Sequence, residues 1–363
     1  MILPTSESPL AVTPATTAVE LRPVRMAILG TNFGAGIARG LARGNAYVKV
    51  AGICDLDFTK ASQLAAELGV PAYATLSDLL EDSAVEAVGL YTPPTGRAKL
   101  VGQVLRAGRH VMTTKPFELD VAAAAEALEL ATARRLTLHL NSPRPVDSED
   151  IAQIKAWITE YDLGRPIGMR AETWSSYREQ ATGTWQDDPA LCPAAPIFRL
   201  GIYFLNDFAP LLGNPKMVHV MQTRIFTGRP TADNAQLAIE FENGSLANIF
   251  ASFCIGDGKP WPDKVTLNYE RGCIYRWIER VSSSLDMAGD HAVTELHHEG
   301  KARARATTQP GAYAGWYDWK SFHDAIRGIG NVPMQNPAAV LFGVRLLDAM
   351  RRAAISGLPE RVA

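Results

Sequence analysis

Lys115 is a candidate for catalysis because of its place in the chain. It follows the predicted strand His110–Thr113 and precedes Pro116, so it lies at the carboxyl end of a strand. Ligands of parallel sheets bind at that end. A lysine there can hydrogen-bond a reacting oxygen and stabilise negative charge as it develops, whereas a lysine in an ordinary turn is only solvated.

A second set of polar residues, Arg199, Tyr203 and Asn206, has sequence separations of 4 and 3. On a helix these three would share one face, while the next residue, Asp207, is a further candidate that points about 100° away from Asn206. A phenol with a pKa near roughly 10 is a poor base unless cations favour its ionised form. If Lys115 and Arg199 both approach Tyr203, we expect an accessible phenolate that exchanges a proton with substrate. The alternative is a buried aromatic at Tyr203 and a surface charge at Arg199.

A glycine-rich turn near the N-terminus predicts a dinucleotide site. An apolar run breaks at Gly30 and resumes with helical spacing, and such turns let backbone amides approach a pyrophosphate. In the pattern G-x-G-x-x-G/A, Gly30 and Ala35 fit, while Asn32 replaces the second glycine. Asparagine tolerates positive φ, and Gly34 and Gly36 add freedom beside it. The predicted cofactor contacts are Gly30, Thr31, Asn32, Phe33, Gly34 and Ala35.

Asp55 strengthens this interpretation. It ends the second predicted strand, 25 residues after Gly30, where an acid can hydrogen-bond a ribose diol. The same carboxylate would repel a 2′-phosphate, so NAD is favoured, although Lys60 nearby leaves NADP open. The alternative is a solvent-exposed aspartate at a strand end.

The composition indicates two domains and excludes some partners. The chain has 363 residues, of which 47% are hydrophobic, so it exceeds one typical domain. A formal net charge of −2 and a pI near 6.4 provide no basis for binding nucleic acid or an anionic membrane surface. No cysteine or histidine cluster predicts a metal, and His297-His298 is interpreted as a solvated loop.

Three further observations concern location. The four cysteines are widely spaced, as in proteins of a reducing compartment. Residues 1–22 lack the features of an export signal, and no apolar run approaches the length of about 18 residues that a membrane span needs. We therefore expect a cytoplasmic protein with a flexible or partner-clasping arm at residues 1–22.

Strands and helices alternate from residue 23 to residue 141, which is typical of a doubly wound parallel sheet. Serial strands beyond residue 141 predict a large open, mainly antiparallel sheet. Six strands are predicted there: 168–175, 217–226, 236–241, 245–253, 264–269 and 273–278. We expect an α/β protein with a dinucleotide-binding Rossmann domain at 23–141 and an α+β substrate-binding and oligomerisation domain at 142–363. Its C-terminal helix, 338–355, is expected to pack back on the first domain.

Taken together, these features resemble the Gfo/Idh/MocA oxidoreductase family over nearly the whole chain. The matching residues are Gly30, Asp55, Tyr91-Thr92-Pro93, Ala107 to Val111, Lys115-Pro116, Gly201-Ile202-Tyr203, Leu211-Leu212-Gly213 and Phe322 to Gly357. The resemblance implies a lysine beside a nicotinamide and adds Thr92 and Pro93 to the cofactor contacts. Two departures stand out: Thr114 replaces a glutamate, and Arg199 replaces the usual aspartate.

The resemblance also adds two substrate candidates. Arg97 stands where relatives commonly carry a histidine, and it is placed at the mouth of the site. Trp174 is suited to packing against the C–H face of a sugar, although aromatic residues more often belong to a core or an interface. Arg199 should meet an anion, either a substrate carboxylate or a protein carboxylate such as Asp207 or Asp187.

The predicted function is an NAD(P)-dependent oxidoreductase that transfers a hydride between nicotinamide and a hydroxyl or carbonyl carbon of a sugar, a sugar derivative or a cyclitol. The alternative is a catalytically silent NAD(P)-binding sugar sensor, because two family carboxylates are missing. A homodimer or homotetramer formed through the second sheet is also expected, since an apolar sheet face needs a cover.

Overall fold

Six parallel strands form the first sheet of the computed structural model, which describes residues 21–177, 180–258, 262–279, 291–308 and 317–363. The strands are β1 (Val24–Leu29), β2 (Val48–Cys54), β3 (Ala72–Tyr73), β4 (Ala87–Leu90), β5 (His110–Thr113) and β6 (Leu138–Leu140). Their order across the sheet is β3-β2-β1-β4-β5-β6, and all neighbouring pairs are parallel. This confirms the predicted doubly wound sheet, whose order reverses between β1 and β4.

Helices cover both faces of this sheet. They are α1 (Thr31–Ala42), α2 (Phe58–Leu68), α3 (Leu76–Glu81), α4 (Arg97–Arg106) and α5 (Val121–Arg134). Alternate residues of β1 belong to different cores: Met26 and Ile28 pack with α1 and α2, while Ala27 and Leu29 pack with α4 and α5. Burial on both faces explains why these strands are continuous apolar runs.

The second sheet has nine strands. They are β7 (Pro166–Trp174), β8 (Pro215–Thr223), β9 (Asn234–Phe241), β10 (Leu246–Ser252), β11 (Asp263–Tyr269), β12 (Gly272–Glu279), β13 (His291–His298), β14 (Lys301–Thr308) and β15 (Glu360–Arg361). Their order is β14-β13-β12-β11-β7-β10-β9-β8-β15. The pair β7 and β10 is parallel and the other pairs are antiparallel. One face packs against α6 (Glu149–Glu160) and α7 (Ile202–Asp207) in a single apolar core.

Two details of the second sheet correct the sequence prediction. His297 and His298 belong to β13 and do not form a solvated loop. The strand predicted over 217–226 ends at Thr223, because the Asp233 carboxylate accepts the amides of Ile225 and Phe226 at 2.8 and 2.7 Å. The first error comes from the pairing of β13 with β12 and β14, and the second from a carboxylate seven or eight residues further along the chain.

The last two helices return the chain to the first sheet. Phe322, on α8 (Trp319–Arg327), is fully buried in the core that contains Ile28. Helix α9 (Pro337–Ser356) contributes Val344 to the first-sheet core and Leu347 to the second. Of the predicted arm, residues 1–20 lie outside the described residues. No helix in the part of the chain that the structure describes is long and apolar enough to cross a membrane.

Candidate active site

The glycine turn brings the N-terminus of α1 close to the residues that follow β4. Gly30 has a φ of 93°, and a Cβ there would lie 2.9 Å from the Tyr91 carbonyl oxygen, so only glycine is accommodated. Its amide donates to the Cys54 carbonyl at 2.9 Å. The N-terminus of α1 therefore lies directly beside the residues that follow β4, with Thr31 as its first residue.

The role of the remaining glycines differs from the sequence interpretation. A Cβ on Gly34 would lie 2.8 Å from Ile28 Cγ2 and 3.0 Å from the Tyr91 ring. Gly34, and not the partly buried Ala35, is thus the residue that allows close packing of helix on strand. Asn32 is helical and does not use a positive φ. Together with Phe33, it is exposed on the first turn.

Asp55 lies at the start of α1, as the dinucleotide pattern requires. Its Oδ2 accepts from the amide and the hydroxyl of Thr31 at 2.6 and 2.7 Å, and its Oδ1 accepts from the Asp57 amide at 2.9 Å. Partial burial opposes ionisation, but these hydrogen bonds outweigh it and lower the pKa of the carboxyl below its usual value. Asp55 is therefore an ionised acceptor at neutral pH.

These residues fit NAD. The missing Cβ at Gly30 lets the backbone after β4 pack against the start of α1, whose N-terminus favours a pyrophosphate, and Asp55 supplies an acceptor for a ribose diol. Within the described residues, the buried hydroxyl of Thr92 has no hydrogen-bond partner, which leaves it available to a ligand at the same edge. Pro93 beside it is exposed.

Lys115 joins the two sheets. Its backbone amide donates to Asn141 Oδ1 at 2.9 Å, at the end of β6. Its Nζ donates to the carbonyl oxygen of Arg199 at 2.5 Å and lies 4.7 Å from the centre of the Tyr203 ring. The lysine thus reaches from the carboxyl edge of the first sheet to the helical segment that packs on the second.

The environment of Lys115 makes its amine usable near neutral pH. Burial, reinforced by repulsion from Arg199 and Arg97, lowers the pKa of Lys115 to about 7. An amine with such a pKa can both accept and donate a proton under physiological conditions. The sequence analysis assigned proton exchange to Tyr203, and the environment of Lys115 makes this amine a second candidate for that role.

Tyr203 does not behave as predicted. Burial, the largest cause, raises its pKa well above the usual value. Lys115 lies over the face of the ring, where its ammonium form makes a cation–π contact. The expectation of an accessible phenolate is wrong, because desolvation outweighs the neighbouring cations. Tyr203 remains a phenol that can donate a hydrogen bond.

Arg199, Tyr203 and Asn206 do not share one helix face. A π-helical turn, Ile197–Gly201, precedes α7 and changes the angular spacing after Arg199. Asn206 is buried and donates to Ser142 Oγ at 3.0 Å, with its Oδ1 against Gly343 of α9. Asn206 thus joins α7 to the segment after β6 and to α9. The prediction that Asn206 contacts substrate is wrong.

Asp207 follows Tyr203 by four residues and therefore faces the same side of α7. Burial raises the pKa of its carboxyl to about 8, although the nearby Arg144 opposes this shift. Asp207 is thus mostly protonated at neutral pH.

Arg97 is a structural residue and does not line the mouth of the site. Its side chain is buried, and its guanidinium donates to the Thr114 carbonyl at 2.6 Å and to the carbonyls of Thr92 and Pro116. These bonds tie the loop after β4 to the loop that carries Lys115. Burial lowers the pKa of Arg97 to about 10, which leaves it charged at neutral pH.

Trp174 lies on the wrong face of the second sheet for the predicted sugar contact. Its ring is 5.7 Å from Lys264 Nζ, and Lys264 pairs with Glu172 on the same face. The preceding residue, Thr173, points to the opposite, buried side. Because side chains alternate along a strand, Trp174 faces away from α7 and Lys115.

Sequence reasoning missed Tyr317 entirely. Its ring meets Tyr91 edge-on with centres 5.7 Å apart and stacks on Trp319 at 5.1 Å. Tyr317 is buried, and burial raises the pKa of its phenol well above the usual value, so it is uncharged at neutral pH. The only signal in the sequence was the aromatic pair Tyr317 and Trp319, about 200 residues after Lys115. No local pattern connects this pair with Lys115.

Comparison with known families covers most of the chain. The model of an oxidoreductase family with an NAD-binding Rossmann fold matches residues 24–142. The model of the GFO/IDH/MocA C-terminal domain matches residues 151–275.

Individual relatives are more distant. An uncharacterized oxidoreductase of Schizosaccharomyces pombe is 30% identical over 44% of this chain and 42% of its own length. A UDP-N-acetylglucosamine 3-dehydrogenase of Acidithiobacillus ferrooxidans is 26% identical over 57% of this chain and 60% of its own. The chain thus spans about half the length of these curated relatives. A crystal structure of an oxidoreductase domain protein from Kribbella flavida is similar in fold, with a TM-score of 0.72, 18% identity and coverage of 94% and 99%.

Proposed function

Because the chain belongs to the Gfo/Idh/MocA oxidoreductase family, with an NAD-binding Rossmann fold, we propose that it is an NAD-dependent enzyme acting on a sugar, a sugar derivative or a cyclitol. The reaction interconverts a carbon that carries a hydroxyl and the corresponding carbonyl. The observation that carries the proposal is Lys115, a partly buried lysine at the carboxyl edge of the dinucleotide-binding sheet, whose Nζ lies against the Tyr203 ring and whose pKa is lowered to about 7. A named relative that acts on a UDP-linked sugar supports the substrate class.

The roles of the residues follow from their environment. NAD, when bound, supplies the hydride acceptor or donor. In the oxidative direction, neutral Lys115 accepts the proton of the hydroxyl while hydride leaves the carbon, so a carbonyl forms. In the reverse direction, the Lys115 ammonium returns that proton to the oxygen. Tyr203, which stays protonated, donates a hydrogen bond that holds the same oxygen.

Substituting Lys115 tests the proposal directly. We expect Lys115→Ala to reduce turnover by about 10²- to 10⁴-fold, since general acid–base catalysis contributes that much, while NAD affinity stays close to wild type. Absorbance of NADH with a panel of sugars and cyclitols measures turnover. The matched control is Lys99→Ala, because Lys99 is exposed on α4. Loss of affinity without loss of turnover would contradict the role of Lys115.

The second candidate function is a sugar sensor that binds NAD without turnover. Thr114 and Arg199, where family members carry carboxylates, motivate it. A wild-type protein that binds both NADH and a sugar, yet transfers no hydride to or from any member of the panel, would establish the sensor and overturn the enzyme.

We further propose that residues 23–141 hold the cofactor and residues 142–363 hold the substrate and a second copy of the chain. NAD is preferred over NADP because the ionised Asp55 repels a 2′-phosphate. The four cysteines are free, which suits the reducing environment of the cytoplasm.

A further inference from the structure

The backbone on either side of Lys115 is bound by Arg97. The guanidinium of Arg97 donates to the carbonyl oxygen of Thr114 at 2.6 Å and to that of Pro116, so the residues before and after Lys115 are both held. The same group donates to the Thr92 carbonyl after β4. A planar guanidinium fixes the directions of its N–H groups, so these bonds restrict the loop more than the charge of a lysine would.

Glu118 makes the return contact. It lies three residues after Lys115, and its carboxylate accepts the amides of Gly96 and Ala98 at the start of α4, at 3.3 and 2.9 Å. Arg97 and Glu118 are each 2% exposed, and the carboxylate favours the charged form of the guanidinium. Buried, charge-assisted hydrogen bonds therefore join the loop that carries Lys115 to the first turn of α4 in both directions.

The position of this loop decides where the Lys115 amine lies. Lys115 Nζ donates to the Arg199 carbonyl at 2.5 Å and lies 4.7 Å from the centre of the Tyr203 ring. A lysine side chain has many rotamers, so a fixed backbone is needed to keep these contacts. Displacement of a reacting group by about 1 Å can reduce turnover about 10²-fold. A movement of the loop would therefore change the rate of proton transfer.

Arg97 also acts on Lys115 through its charge. Arg199 and Arg97 both lower the pKa of the Lys115 amine, and Arg199 has the larger effect. The guanidinium carbon of Arg199 lies 5.1 Å from the centre of the Tyr177 ring and 4.8 Å from that of Phe253. Because Arg97 is buried, salt in the solvent screens its charge only weakly.

We propose that Arg97 is a positioning residue for the reaction, which orients Lys115 through the carbonyl oxygens of Thr114 and Pro116. This proposal rests on the proposed function, since it gives Arg97 a role in the same site. A residue that only joined two loops would change stability. A positioning residue also changes turnover in protein that is folded and has bound NAD.

Two substitutions of Arg97 separate geometry from charge. Arg97→Lys keeps the cation but loses the planar group, and Arg97→Met loses both. We expect kcat to fall about 10- to 100-fold in Arg97→Lys and at least as far in Arg97→Met, while NADH affinity stays close to wild type. The matched control is Arg106→Met, at the exposed end of the same helix, which should keep wild-type kcat. Thermal unfolding defines the temperatures at which each variant is folded and assayed.

NMR follows the position of Lys115 independently of turnover. Reductive methylation with isotope-labelled formaldehyde marks the partly exposed amine of Lys115, and the signal that is missing from Lys115→Ala assigns it. The Tyr203 ring should shift this signal upfield in wild type, because the amine lies over its face. Both Arg97 variants should lose that shift. The pH midpoint of the signal should rise in Arg97→Met, by less than in Arg199→Met.

The two measurements separate this proposal from the proposed function. If folded Arg97→Lys and Arg97→Met both keep wild-type kcat, or both keep the upfield shift of the Lys115 signal, the proposal is overturned. If wild type transfers no hydride with any sugar or cyclitol, the proposed function fails. Loss of the upfield shift in the Arg97 variants would then still support the orientation of Lys115 by Arg97.

Discussion

At the scale of single residues, the proposed role of Lys115 predicts how the reaction depends on pH. An unperturbed lysine has a pKa of about 10.4. Burial and two neighbouring arginines lower the pKa of Lys115 to about 7. In the proposed reaction, the neutral amine is the base for oxidation and the ammonium is the acid for reduction. Oxidation should therefore rise with pH through about 7, and reduction should fall through the same range.

Profiles of kcat/KM in both directions, between about pH 5.5 and about pH 9.5, measure this effect. In Arg199→Met the pH at which kcat/KM changes should move to a higher value, because removing a cation raises the pKa of Lys115. If the wild-type profile has its midpoint near about pH 10, or if the midpoint does not shift in the variant, Lys115 is not the titrating group.

Asp55 combines two roles that a conservative substitution separates. Its carboxylate accepts two hydrogen bonds from Thr31 and also carries the charge that disfavours a 2′-phosphate. Asp55→Asn keeps an acceptor oxygen but loses the charge. We expect its unfolding temperature to remain close to that of wild type and its preference for NAD over NADP to narrow. Binding titrations with both cofactors measure this, and an unchanged preference would place the discrimination elsewhere.

At the scale of elements, the contact between α1 and β1 depends on one missing side chain. Gly34→Ala would place a methyl group 2.8 Å from Ile28 Cγ2, and overpacking of this kind costs about 1–3 kcal/mol of unfolding free energy. Gly36→Ala is the matched control, since a Cβ there meets nothing within 4 Å. The control should be neutral or more stable by up to about 1 kcal/mol.

Denaturant unfolding of the two variants decides between these outcomes. Equal effects at both positions would mean that α1 can shift away from β1 without penalty. Because Gly34 also contacts the Tyr91 ring, Gly34→Ala should weaken NAD binding in addition to stability.

At the scale of the whole molecule, the second sheet has one covered face and one open face. Helices α6 and α7 cover the first, whereas Met221, Leu246 and Tyr275 are exposed on the other, at 60%, 60% and 37%. A sheet face of this size is well suited to pairing with a second copy of itself about a twofold axis. We expect a homodimer or homotetramer formed through this face.

Replacing Leu246 and Met221 by arginine together should dissociate the assembly, because two buried charges per subunit would meet their own copies. Sedimentation analysis measures the oligomeric state. Ile329→Arg, an exposed apolar residue just after α8, is the control and should have no effect. A double variant that still assembles like wild type would place the interface on another surface.

The sequence by itself determined the features that depend on local order. Apolar runs and the breaks between them, each within a few residues, predict five of the six strands of the first sheet, the turn at Gly30, Asp55 at the end of β2 and Lys115 at the end of β5. The two-residue strand β3 is too short to give such a signal and was not predicted. Only the tertiary structure decided how these groups behave. The pKa values of Lys115 and Tyr203 depend on desolvation, which sums contacts from both sheets.

The same reason accounts for the individual errors. Arg97 is buried because three carbonyls from two loops converge on it, and Asn206 because α9 packs against it. The π-helical turn before α7 and the side of the sheet that Trp174 occupies depend on how distant segments pack. Residue type and spacing identified which groups could react; burial and packing, which no local pattern encodes, decided which of them face one another.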